Sequence, residues 1–185
     1  MPESKASGLG EQDVTLGSGD LYIKEFTGTI PEHTELEVEG NRIGGIQGGA
    51  MLSYKPTLYT VKDDKGVVYK IFITDTEVKL KSGILTWNLP VLNTISLCGE
   101  LTETAQKRTL KLGKNGALTN YIVRFVHEKA NGTKFRVTIV GTNQNGFELN
   151  FESGKETVID AEFIAGSLDS KGNKLILEEE LQVPA

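Results

Sequence analysis

The chain has 185 residues, 38% of them hydrophobic and 24% charged, with a formal net charge of −5. That length fits one domain with a self-sufficient core, and the acidic balance offers no general attraction for nucleic acid or an anionic membrane. A single cysteine, Cys98, excludes an intrachain disulfide framework, and its apolar surroundings read as those of an inert small hydrophobe.

Residues 1 to 18 are polar and rich in Gly, Ser and Glu, a composition that cannot offset its own ordering entropy, so a flexible N-terminal arm is expected. The arm lacks the apolar segment of a secretory signal, and no later stretch approaches the ~20 apolar residues of a membrane span. Synthesis and folding in a cytoplasm are therefore expected. Residues 19 to 185 read as one β-domain without internal repeats. Leu21–Phe26 is a first short strand. Residues 27 to 47 then hold Pro31, acids from Glu35 to Glu39, and Gly40-Asn41-Arg42-Ile43-Gly44-Gly45. A loop of this length inside a domain is commonly functional, or becomes ordered on a partner.

Strand signals return at Ala50–Tyr54 and Leu58–Val61. The acidic turn Asp63-Asp64-Lys65-Gly66 leads into Val67–Ile73, and Glu77–Lys81 alternates with Val78 and Leu80 inward. Asn88 to Leu97 predicts the one helix: Asn88 can cap it, Pro90 fits its first turn, and Leu89, Val91, Leu92 and Ile95 have helical spacing. Trp87 stands at its entrance. Lys107–Leu112 is a further strand. From residue 119 the chain reads as antiparallel strands and tight turns: Tyr121–Val126, Asn131-Gly132, Lys134–Ile139, Asn145-Gly146, Phe147–Phe151 and Thr157–Ile164. Asn-Gly is the favoured pair for two-residue hairpin turns. Asp169–Asn173 is a turn before a last strand, Lys174–Leu177. The fold class expected is mainly β, a sandwich or partly closed barrel of antiparallel strands with one flanking α-helix.

Residues that could carry chemistry are few. His33 lies in the acidic loop and His127 at a strand end on the face of Tyr121, Val123 and Phe125, without the ligand spacing of a zinc site. Asp160 and Glu162 share one strand face; a hydrolytic carboxylate pair is conceivable, but a solvated or interface-facing acidic stripe is the simpler reading. Asp169–Asn173 lacks the alternating ligands and distal Glu of a calcium loop. Gly44-Gly45-Ile46-Gln47-Gly48-Gly49 matches no phosphate-binding pattern and reads as glycine used for flexibility or close packing. Lys134, Arg136 and Thr138 share a face, as do Lys79 and Lys81, without the exposed aromatics of a single-strand nucleic-acid site. These basic faces are expected to be solvated, or to answer acids across a subunit boundary. No catalytic residue, cofactor site or metal site is nominated.

Several stretches match a known pattern in order along essentially the whole chain. They are Leu16–Lys24, the acidic loop with Asn41–Ala50, Ser82–Leu89, Tyr121–His127 and Glu156–Phe163. Together they resemble the major tail tube proteins of tailed bacteriophages and prophages of Gram-positive bacteria. The resemblance implies a structural virion protein, not an enzyme. Hexameric rings of it would stack into a tube, made in the host bacterial cytoplasm, through which phage DNA passes without sequence-specific binding. It also implies tape measure, tail terminator and distal tail proteins as partners, with residues 1–18 and the loop 27–49 as assembly elements that order only in the tube. Asp160 and Glu162 are candidate acids of a lumen that repels phosphate. The same architecture serves contractile tails, phage-like bacteriocins and secretion tubes, and a monomeric carbohydrate-binding sandwich is the alternative of another class.

Overall fold

The computed structural model describes residues 19–113 and 118–181; the expected arm, residues 1–18, lies outside them. The chain is mainly antiparallel β, as its alternating apolar residues require. In order come β1 (Asp20–Glu25), α1 (His33–Leu36), β2 (Ile46–Lys62), β3 (Val68–Ile84), α2 (Leu89–Ile95), β4 (Gly99–Glu103), β5 (Arg108–Leu112), β6 (Tyr121–Glu128), β7 (Lys134–Asn143), β8 (Ile159–Ala165) and β9 (Ile176–Glu179). A seven-stranded sheet runs β1-β6-β7-β8-β3-β2, with β9 also on β7, and β4 and β5 form a separate two-stranded sheet. β8 pairs with the C-terminal end of β7 and β9 with its N-terminal half. The chain therefore leaves β7 after Ala165 and returns to it at Ile176.

The sheet has two covered faces, giving a sandwich-like arrangement. On one, Leu21, Val123, Ile139, Phe163 and Leu80 form the main core with Leu92 and Ile95 of α2. The helix is built as expected: the Asn88 side chain accepts a hydrogen bond from Val91 N–H at 3.0 Å, and Pro90 sits in its first turn. The Trp87 indole N–H donates to Thr157 O at 3.3 Å, fastening the helix entrance to the segment before β8. On the other face, Leu36 is fully buried against Ile122 and Val140. No helix among the described residues is long and apolar enough to cross a membrane.

Four local expectations change. The Asn131-Gly132 turn is not a two-residue loop. No described residue other than glycine has positive φ, and the loop closes through Gly132 N–H to Lys129 O and Lys129 N–H to Thr133 O, both 2.9 Å. This is a three-residue loop with a left-handed glycine, and Asp63–Val67 repeats it at Gly66. Phe147–Phe151 is not a strand: its alternation is real, with Phe147 and Leu149 packed on the core, but no neighbouring strand pairs with it. Gly99–Glu103, unpromising in composition, becomes β4 because β5 lies beside it. The last strand, expected from Lys174, begins two residues later, at Ile176.

The largest correction concerns residues 27–49, expected to be ordered only on a partner. In this single chain residues 33–43 are docked on the protein's own sheet. Leu36 and Ile43 are buried, Ile43 N–H donates to Leu21 O at 2.9 Å, and Arg42 bridges to Tyr22 of β1. The projecting element lies elsewhere, in the pairing of β2 with β3. Four strand signals read separately fuse into two 17-residue strands that pair from Ile46–Ile84 to Lys62–Val68.

Candidate functional site

The side chains that could carry chemistry are mostly engaged with one another. Glu162 of β8 stands opposite Lys81 of β3, is nearly buried, and is ion-paired to Lys81, with Lys79 Nζ 3.8 Å away. The Lys81 hydrogen bond and charge hold its carboxyl below the ordinary range, so it is a fixed anion and not a proton donor. Asp160 is exposed beside an open recess of about 450 Å³ that also meets Gly48, Gly49 and Lys81. The expected acidic stripe is thus a charge-matched face, since Lys79 also reaches Glu77 at 3.3 Å. Among the described residues, no group of three or more His, Cys, Asp or Glu could hold a metal ion.

The glycine run follows geometry. Gly48 and Gly49 take positive φ where the β2–β3 register shifts between Gln47 and Ala50. At Gly44 a Cβ would lie 2.4 Å from Thr86 Oγ1. Asp169–Asn173 is the turn expected, with Asp169 Oδ1 accepting from Lys171 N–H and Asn173 N–H.

Arg136 and Thr138 are not solvated and do not wait for another subunit. Arg136 is 3% exposed and Arg124, beside it on β6, is 2%. Arg136 Nε donates to Glu37 Oε1 at 2.5 Å, Arg124 Nη1 to the same oxygen at 3.3 Å, and Arg124 Nε to Thr138 Oγ1 at 2.9 Å. His33 lies between Arg124 Nη1, 2.8 Å from its Nδ1, and Glu178 Oε1, 2.8 Å from its Nε2. Arg136 Nη1 is 2.7 Å from Glu180 Oε1. Burial alone would raise the Glu37 carboxyl, but the hydrogen bond and charge of Arg136 outweigh it and hold it low. This network clamps the α1 segment and β9 onto β6 and β7.

What the described residues leave uncovered is the outer half of the β2–β3 hairpin. Tyr54, Leu58, Tyr59, Val67, Val68, Tyr69, Ile71, Phe72 and Ile73 are all exposed, Tyr69 to 71%. Opposed pairs share a face, so Leu58 with Ile73 and Thr60 with Ile71 lie on one side, and Tyr59 with Phe72 on the other. Both sides are therefore apolar. Lys70, with its ammonium 4.6 Å from the Phe72 ring centre, shields part of one. These side chains present on the order of 1,000 Å² to solvent, comparable with one partner's share of a standard interface. Two-stranded hairpins are marginal alone, and exposed apolar patches of this size mark contact sites.

Compared with protein-family models and with curated proteins, the sequence matches none. The functional reading therefore rests on the residues and on this geometry. Sequence reasoning found the hairpin's strands in pieces but not their union, since Lys55-Pro56 in β2 and Thr74-Asp75-Thr76 in β3 interrupt the apolar pattern. Proline is tolerated there because β2 is an edge strand.

Proposed function

We propose that this chain is a structural protein that polymerises with copies of itself, as stacked hexameric rings forming the tail tube of a bacteriophage. The observation that carries the reading is the hairpin, apolar on both faces and without a partner among the described residues. A second copy is the fitting occupant because the chain also carries receptive surface. Beside β9 an apolar recess of about 350 Å³ opens between Leu52, Leu80, Phe125, Phe135 and Leu177, and Leu177 is half exposed. A projection and a recess at different places on one molecule make a heterologous contact, which generates rings when it closes and filaments when it does not. The ordered resemblance to tail tube proteins supports the closed ring and the stack. Tape measure, terminator and distal tail proteins would then meet the tube, with DNA passing through the lumen in the virion. No part of this reading calls for catalysis, a cofactor or a membrane.

Contractile-tail, bacteriocin and secretion tubes would use the same surfaces. The exposed tyrosines of the hairpin are a feature that a carbohydrate-binding module would share. Their setting argues against it, since Leu58, Ile71 and Ile73 lie among them and the apolar surface occupies both faces. Negative-stain electron microscopy of the purified chain across a concentration series tests the proposal. Rings or hollow tubes are expected. A chain that stays monomeric even with tail-tip initiator added, and binds glycans instead, would overturn it.

A further inference from the structure

The hairpin does not leave the body freely, and the turn before β9 explains why. At its root the β2–β3 register shifts between Thr57 and Leu58, leaving Thr74 outside the ladder. Such a bulge bends and twists a strand pair. The Thr74 hydroxyl donates to Thr57 O at 3.2 Å across the irregularity. Lys174 reaches the same point from the 169–173 turn, its ammonium donating to Asp75 Oδ1 at 3.0 Å and to Thr76 O at 2.6 Å. The turn itself is stiff: Asp169 accepts from two backbone N–H groups and from the Asn173 amide at 2.7 Å, and Gly172 supplies positive φ. Asp75 in turn accepts from Thr76 N–H at 2.7 Å. A carboxylate, a main-chain carbonyl and one lysine therefore meet where the arm departs, and theirs is the only charge pair between hairpin and turn among the described residues.

We infer that Lys174 is a positioning residue: its clasp on Asp75 and Thr76 fixes the direction of the hairpin arm and so lowers the threshold for self-assembly. The arm extends about seven residues beyond the bulge, a lever of roughly 23 Å at strand rise, so a 20° swing at the root moves the tip by roughly 8 Å. An arm pre-aimed at its neighbour loses less freedom on docking than one that swings. The first half of this inference concerns the isolated chain alone; the second rests on the self-assembly proposed above.

The test uses the full chain with Cys98→Ser, spin-labelled at the hairpin tip (Lys65→Cys) and on the body (Glu128→Cys), and measures the tip-to-body distance distribution at dilution. In this background Lys174→Ala should broaden the distribution and Lys174→Arg should restore it. In unlabelled protein Lys174→Ala should raise the concentration at which assembly begins roughly two- to fivefold, the range of a partly exposed ion pair. An unchanged distribution in Lys174→Ala overturns the clasp. A broadened distribution with an unchanged threshold overturns its role in assembly. If the parent chain never assembles, the assembly reading fails on its own, and the distance measurement still decides whether Lys174 aims the arm.

Discussion

Replacing Glu37 by glutamine removes one charge from the centre of the clamp while keeping its shape. The Glu37 side chain is 8% exposed and lies between two guanidiniums that are themselves almost wholly buried. The substituted amide would still accept one hydrogen bond, but Arg124 and Arg136 would face each other without the carboxylate between them. Breaking one side of a buried ion pair costs about 3–5 kcal/mol. Arg136 keeps Glu180, and Arg124 keeps Thr138, so the lower end, about 3 kcal/mol, is expected. For a chain of this size that is roughly 6–12 °C in Tm. Urea unfolding followed by circular dichroism and by the fluorescence of Trp87, the single tryptophan, measures it. Glu37→Leu combined with Arg124→Met and Arg136→Met should recover most of the loss, because replacing all three buried charges leaves none of them unpaired. A Glu37→Gln variant within about 0.5 kcal/mol of the parent, the range of an ordinary surface substitution, would refute the claim that this network holds α1 and β9 in place.

Other consequences follow from the same geometry. The Glu180 carboxyl is held low by the Arg136 guanidinium beside it, and that of Glu37 by Arg136 against its burial. A depressed carboxylate stabilises the fold above its unfolded value, about 4.3, and loses that contribution as pH falls through its lower folded value. Protection of the α1 and β9 amides should therefore be constant above about pH 5 and collapse on acidification below about pH 4, read by hydrogen exchange. Gly141→Ala would place a Cβ 2.1 Å from Ile164 O in the β7–β8 ladder; a loss of about 2–3 kcal/mol in denaturant unfolding is expected. Ile73→Lys, on the exposed hairpin, should change monomer stability by less than about 0.5 kcal/mol while abolishing assembly in sedimentation velocity.

The parts of the fold that were legible from sequence are those whose pattern is local. Tyr121–Val126, Lys134–Ile139 and Thr157–Ile164 are rich in apolar and β-branched residues because both faces of the sheet are covered there, and Asn88 with Pro90 marks the helix start through contacts within one turn. The clamp was not legible, because Glu37 meets Arg124 and Arg136 across 87 and 99 residues of sequence. Glu35–Glu39 read as part of a loop that orders on a partner for the same reason. Glu162 read as part of an acidic stripe because its neutralising partner, Lys81, belongs to another strand. Phe147–Phe151 shows the opposite failure: alternation predicts which side chains pack, but a strand also needs a neighbour. The hairpin was seen in fragments, and its exposed state is a property of the whole fold that no window of residues could reveal.

The central claim is that the outer β2–β3 hairpin is the surface through which copies of this chain join. Hydrogen–deuterium exchange, with peptides covering residues 54–76 compared before and after assembly at high concentration, tests it most directly. Fast exchange in the monomer and strong protection in the assembled particle are predicted, with the main core unchanged. A particle in which residues 54–76 exchange as fast as in the monomer would contradict it.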